Sequence, residues 1–340
     1  MSVSIKDVAL RSGVSTATVS HVINGTRYVA DETKRKVYDA MKVLDYHPNP
    51  IARSLRSRKS YVIGLLVPIL ASDASKFFFT SVAYGIERKL KEHGYHLSLS
   101  NSNESIEHEI EQIKVFNSQY IDGLIIASSA TDYSQLEGVI SKDYPTVFID
   151  RVPKGCKSDV VLSDNQQGSY EAVDYLVKSG HKRIGFITEG VWITTNDERL
   201  EGYKSALSDN GITVEENLIQ QCKSVNVAGY ALEKGFELAK YLVEQEKVSA
   251  LFLADNAMTM GAFRYLQESK LNIPEDVALV GFDDYEWTLV TSPTISVVKQ
   301  NTLQIGEQAI NLLMDRIENG NKSKVDEVRL PTEFMIRGSV

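Results

Sequence analysis

The chain has 340 residues, more than one ordinary domain, and its 43% hydrophobic content can fill a sizeable core. Its two cysteines, Cys156 and Cys222, stand in no metal-ligand or redox spacing. No run of about 18 apolar residues is present to cross a membrane. The formal net charge of −8 is unevenly spread: residues 1–60 carry 11 Lys and Arg against 5 Asp and Glu, the remainder 26 against 40. A basic head on an acidic body suits a head that meets nucleic acid and a body that avoids it. Met1–Asp7 holds no apolar signal-peptide core, so a cytoplasmic protein is expected.

The first predicted element is a short helix over Ile5–Ser12, with Ile5, Val8 and Ala9 on one face. Gly13 then makes a tight turn. A second helix follows in the run Val14-Ser15-Thr16-Ala17-Thr18-Val19-Ser20-His21-Val22-Ile23-Asn24-Gly25. Ser15 is a good N-cap, because its hydroxyl can accept from an otherwise unpaired backbone N–H. Val19, Val22 and Ile23 recur at helical spacing, and Gly25 permits the left-handed turn that ends a helix. Thr16, Ala17, Thr18, Ser20 and His21 face outward, with no acidic group to repel a phosphate. Two short helices joined this way match the helix-turn-helix pattern. A third helix, about Asp31–Tyr46, places Val37, Met41 and Leu44 where they cover the first two.

His47-Pro48-Asn49-Pro50 cannot continue that helix, because each proline pushes its predecessor out of the α region. Asn49 and Pro50 fit the N-cap and first position of a new short helix, Ile51–Leu55. So short a helix is unstable alone in water.

Val3–Leu55 resembles the DNA-binding head and hinge of the lactose/galactose repressor (LacI/GalR) family, and most of all the purine-repressor branch. The residues that carry the resemblance are Ile5-Lys6-Asp7-Val8-Ala9, Val14-Ser15, Thr18-Val19-Ser20, Val22-Ile23-Asn24, Pro48-Asn49 and Ala52-Arg53-Ser54-Leu55. The resemblance implies base-reading roles for Thr16, Ala17 and His21. It makes Ser15, Thr18, Asn24 and Arg27 candidates for phosphate contacts. It also implies a hinge formed with Asn49, Ala52 and Arg53, which folds on its dimer mate and on DNA. Leu55 then acts as an apolar wedge in the minor groove.

From Tyr61 onward, apolar runs alternate with amphipathic stretches. The predicted strands are Tyr61–Val67, His96–Ser100, Gly123–Ala127, Thr146–Asp150, Val160–Ser163, Arg183–Thr188, Leu218–Lys223, Ala250–Asp255, Val277–Asp283 and Ile295–Gln300. The predicted helices are Phe78–Glu92, Ser105–Asn117, Gln167–Lys178, Glu198–Ser208, Ala228–Glu244, Met258–Glu268 and Gln304–Ile317. Such alternation implies parallel sheets with helices on both faces. About ten strands are better divided between two sheets than forced into one. The expected fold is therefore α/β: an all-α helix-turn-helix head (1–48), a hinge and linker (49–60), and a two-lobed body (61–340). The body resembles periplasmic binding proteins, with two Rossmann-like parallel-sheet lobes and a ligand cleft near the carboxyl ends of the strands.

In that cleft the resemblance points to Arg199, in Arg199-Leu200-Glu201-Gly202-Tyr203, and to Asp283, in Val280-Gly281-Phe282-Asp283-Asp284. Asp255, in Asp255-Asn256, reverses the family's usual order, which leaves open which of the pair faces the ligand. Asp150, at a strand end, is a further candidate. Phe78 and Phe79, with Lys76 and Phe77, begin the body's first helix, where one or two aromatics are expected to line the cleft. Two departures weigh against a purine: Ser224 stands where purine repressors stack an aromatic, and Ile193 where they place another arginine. Trp192 could instead stack on a sugar ring.

No phosphate-binding glycine loop, paired metal-ligand motif or nucleophile elbow is present, so no catalytic residue, metal or cofactor is expected. The expected function is a homodimeric, sequence-specific transcriptional repressor on a pseudo-palindromic operator. Its effector is expected to be a saccharide or sugar derivative. No heptad-repeat tail follows Phe334-Met335-Ile336, so a dimer is expected rather than a tetramer. Besides activation rather than repression, which operator position decides, two alternatives stay open. One is a global carbon-catabolite regulator with a phosphorylated protein corepressor. The other is a sugar-binding protein or enzyme with a vestigial head.

Overall fold

The computed structural model describes residues 3–25, 27–46, 59–70, 75–140, 144–189, 194–222, 229–320 and 324–340. The chain forms two compact units, Met1–Ser60 and Tyr61–Val340.

The first unit holds helices α1 (Ile5–Ser12), α2 (Thr16–Asn24) and α3 (Asp31–Leu44). Asp7 accepts from the Ser4 backbone N–H at 2.8 Å at the start of α1, and Gly13 ends that helix at φ +68°. The Ser15 hydroxyl accepts from Thr18 N–H at 3.1 Å, as its N-cap position requires. Val8, Ala9, Val19, Val22, Val37 and Ala40 make a small core, with Met41 and Leu44 packed against it. α3 stops two residues earlier than the sequence suggests. Asp45 turns left-handed at φ 50°, and Tyr46 N–H closes the end on Met41 O.

The second unit begins with β1 (Val62–Val67), α4 (Ser75–His93), β2 (His96–Asn101), α5 (Ile106–Ser118), β3 (Gly123–Ile126), β4 (Thr146–Ile149) and β5 (Asp159–Ser163). Next come α6 (Asn165–Lys178), β6 (Ile184–Glu189), α7 (Thr194–Asp209), β7 (Ile219–Cys222), α8 (Tyr230–Glu244), β8 (Ala250–Leu253), α9 (Asn256–Glu268), β9 (Ala278–Phe282), α10 (Trp287–Val290) and β10 (Ser296–Lys299). The chain then returns through α11 (Thr302–Asn319), β11 (Glu327–Leu330) and β12 (Glu333–Met335).

Two sheets result, ordered β11-β5-β4-β3-β1-β2 and β12-β10-β9-β8-β6-β7. The pairings are parallel except that of β10 with β12. The central strands β3, β4, β8 and β9 are buried along their whole length, because helices cover both faces. In the first lobe α4 and α11 cover one face of the sheet and α5 the other. In the second, α8 and α9 cover one face and α6 and α7 the other.

β11 and β12 were not foreseen. They have four and three residues, mix charged with apolar side chains, and lie at sheet edges. Segments that short give too few periods to read. Their effect on the architecture is large, because the chain now passes between the lobes three times. The passages lie between β5 and α6, between β10 and α11, and between β11 and β12. Asp164 N–H donates to Leu330 O at 2.8 Å, which ties the first passage to the third.

Candidate functional site

On the head, Ser15, Thr16 and Ala17 at the start of α2 are exposed, while Thr18 and His21 are partly covered. The first turn carries no acidic side chain, so the positive end of the helix dipole is open to phosphate. Thr18 shares its hydroxyl with that of Ser15 at 2.9 Å, which fixes both at the helix start. Arg27 is exposed just beyond α2. Asn24 closes α2, and its side chain lies outside the described set. The hinge candidates Asn49, Ala52, Arg53 and Leu55 lie outside the described residues.

In the body, the expected ligand-binding groups sit on one helix and at two strand ends. Arg199 lies on α7 and is only 7% exposed. Its Nε donates to Asn165 Oδ1 at 3.0 Å and its Nη1 to the Ala254 carbonyl at 2.6 Å. Its guanidinium carbon sits 3.7 Å from the ring centroid of Phe282. A flat cation held against an aromatic face in a dry setting is a strong arrangement. Gly202, nearly one turn further along α7, allows this placement. A Cβ there would lie 2.2 Å from Gln166 O, so α7 can approach α6 closely only with glycine.

Asp150 and Asp283 follow β4 and β9 directly, one in each lobe. Both have left-handed backbones, with φ +62° and +73°. Aspartate tolerates this conformation better than most residues. Burial pushes the Asp150 carboxyl above the ordinary carboxylate value; Arg151 and Arg199 oppose that push, and Asp283 adds to it. Arg199 and Asp283 from one lobe therefore act electrostatically on Asp150 from the other. Gln300, at the second passage between lobes, donates from Nε2 to Asp283 Oδ1 at 2.6 Å. The neighbouring Asp284 is committed elsewhere, held by both Nη2 contacts of Arg337 at 2.7 and 2.8 Å.

The remaining expectations fall differently. Asp255 N-caps α9, its Oδ1 accepting from Met258 N–H at 2.9 Å. Asn256 accepts at Oδ1 from Trp287 Nε1 at 2.7 Å. Phe78 and Phe79 are 5% and 1% exposed and belong to the first lobe's core. Phe77 instead points outward and reaches Tyr285 of the second lobe, ring centroids 5.7 Å apart. A second contact joins the lobes where Val152 N–H donates to Thr194 Oγ1 at 3.2 Å. Trp192, Ile193 and Ser224 lie outside the described residues.

Asn165, Phe282 and Tyr285 were not singled out from the sequence. Phe282 looked like one more core residue of a buried strand. Asn165 carried no signal, since nothing local shows that the Arg199 helix packs on its turn. Among the described residues, no cluster of His, Cys, Asp and Glu could hold a metal ion. No helix there is long and apolar enough to cross a membrane. Arginine edge, two carboxylates and an aromatic floor can bind a polar, hydroxyl-rich molecule.

A family model described as bacterial regulatory proteins, lacI family, matches residues 4–49, and one described as a periplasmic binding protein-like domain matches residues 173–340. The HTH-type transcriptional repressor PurR of Vibrio atlanticus (strain LGP32) is 33% identical over 324 residues, covering 94% of this chain and 93% of the relative. The transcriptional regulator CelR in complex with cellobiose superposes with a TM-score of 0.72 at 28% identity, over 99% of this chain and 100% of that one. The Lac repressor bound to ONPG in its repressed state shares the fold, with a TM-score of 0.85 at 24% identity and 100% coverage of both chains.

Proposed function

We propose a specific mode of action for this chain, which belongs to the lacI family of bacterial regulatory proteins. It is a DNA-binding transcriptional repressor with an effector-binding body. The finer reading is that its effector is a saccharide or sugar derivative, held between Asp150 and Asp283 with the free edge of Arg199. The observation that carries it is the seating of Arg199 on Phe282, with Asn165 and Ala254 taking two of its donors. That leaves the outer edge of the guanidinium to fork onto neighbouring hydroxyls, while the carboxylates accept from others. The structural likeness to a cellobiose-bound regulator supports a sugar in this place.

The protein acts in the cytoplasm as a homodimer, one head per half of a pseudo-palindromic operator. Thr16, Ala17 and His21 read bases in the major groove, and Ser15, Thr18, Asn24 and Arg27 hold phosphates. Asn49, Ala52, Arg53 and Leu55 form the proposed hinge contact in the minor groove. The effector acts by binding one lobe arrangement better than another.

The test is operator selection from a random DNA pool, with and without a sugar mixture, followed by thermal unfolding across the same sugars. The reading predicts one enriched palindrome and a melting temperature raised by one sugar. Stabilisation by hypoxanthine or guanine, with none by any sugar, would replace the saccharide with a purine.

A further inference from the structure

Asn165 stands at the first passage between the lobes and is 1% exposed, yet both ends of its amide are in use. Its Nδ2 donates to Ser163 O at 3.3 Å, at the end of β5 in the first lobe, and to Glu198 Oε2 at 3.0 Å, on α7 in the second. Its Oδ1 accepts from Arg199 Nε at 3.0 Å. The other oxygen of Glu198 faces back to the first lobe, 2.8 Å from Arg329 Nη2 on β11. One side-chain chain thus runs from Arg329 through Glu198 and Asn165 to Arg199, crossing the lobe boundary at the ion pair.

Two features make this a switchable connection. Glu198 and Arg199 are adjacent on one helix, so a shift of α7 moves both. Arg329 also has a second carboxylate, with its Nε 2.6 Å from Glu327 Oε1 on its own strand. When the lobes rotate and Glu198 withdraws, the guanidinium keeps one partner, so breaking the pair does not leave a lone charge. An element with two satisfied arrangements is what coupling between sites requires.

We propose that Asn165 is a positioning residue that ties the seat of Arg199 to the angle between the lobes, with the Glu198–Arg329 pair as the contact that makes or breaks. The functional consequence rests on the reading of Arg199 as an effector ligand; the mechanical link does not.

The test therefore uses the ligand-free full-length chain. Spin labels go on exposed positions of the two lobes, through Glu111→Cys on α5 and Lys240→Cys on α8, in a Cys156→Ser, Cys222→Ser background. Pulsed electron resonance reads the distance distribution between them. The parent should give one narrow population. Asn165→Leu should widen it roughly twofold as a second lobe arrangement becomes populated. Arg329→Gln, at a partly exposed site, should do the same even if Asn165→Leu fails to fold. Arg329→Lys should restore the narrow distribution, which loss of general stability would not predict. Adding Asn165→Leu to either Arg329→Gln or Arg199→Met should widen the distribution no further, because all three act through one path. Unchanged distributions in Arg329→Gln, or widening that adds fully in the double variants, would overturn the proposal. Neither result bears on whether a sugar binds.

Discussion

Arg199 lies over the ring of Phe282, 3.7 Å from guanidinium carbon to ring centroid, although they come from a helix and a strand end more than eighty residues apart. The contact, with the bonds to Asn165 and Ala254, holds the guanidinium in place. Replacing the ring by a smaller apolar group keeps the charge and removes its seat. Phe282→Leu is therefore expected to destabilise the body by about 1–3 kcal/mol, from the cavity and the lost cation–aromatic contact. It should also weaken effector binding. Urea unfolding and calorimetric titration of the stabilising sugar check both.

A second prediction concerns the buried ion pair between Arg316 and Asp159, whose side chains are 6% and 1% exposed. Arg316 Nε donates to Asp159 Oδ2 at 2.7 Å, and Asp326 N–H donates to Oδ1 at 2.8 Å. Asp159→Asn leaves a buried guanidinium without its counter-charge. The expected cost is about 3–5 kcal/mol, read as a lower urea midpoint. A loss within the noise of the measurement would mean that the arginine finds another partner.

The third follows from Glu109, fully buried on α5. Burial raises its carboxyl above the ordinary value of 4.5, against hydrogen bonds from Ser128 and Ser129 that lower it. The native state thus holds this proton more tightly than the unfolded chain. The group's stabilising contribution is complete below pH 4.5 and is lost as pH rises through the raised native value. Glu109→Gln keeps an acceptor for Ser129 N–H and has no charge to bury. Its stability relative to the parent should grow as pH rises from about 4 to 7, by about 1.4 kcal/mol per unit of upward shift. A gap that shrinks over that range would reverse the assignment.

For the head, His21→Ala should relax base preference at one position of each half-site by roughly 1–3 kcal/mol, with little effect on nonspecific binding. Equal weakening on every sequence would instead make His21 a backbone contact. Competition binding with single-base operator variants distinguishes the two.

The sequence made the lobes legible because strands buried on both faces read as unbroken apolar runs, as in Leu124-Ile125-Ile126 and Leu251-Phe252-Leu253. The head was legible through caps: Ser15 and Gly25 do locally what their chemistry suggests. Asp150 was picked out by its place at a strand end, and Asp283 by the family resemblance together with such a place. What could not be read was long-range. Asn165 matters only because Gly202 lets α7 settle against α6, and Phe282 only because Arg199 lies over it. Phe77 and Phe79 are indistinguishable in sequence, yet one meets Tyr285 and the other fills the core. Helix phase at the start of α4 separates them, and a run of three phenylalanines hides that phase.

A ligand seated on Arg199 is expected to govern the grip of the head on its operator. The direct measurement is the affinity of parent and Arg199→Met proteins for the selected operator duplex, by fluorescence anisotropy, with and without the sugar that stabilises the parent. Affinities should be equal without sugar, shift roughly tenfold or more in the parent when sugar is added, and not shift in the variant. The same sugar-induced shift in both proteins would contradict this expectation.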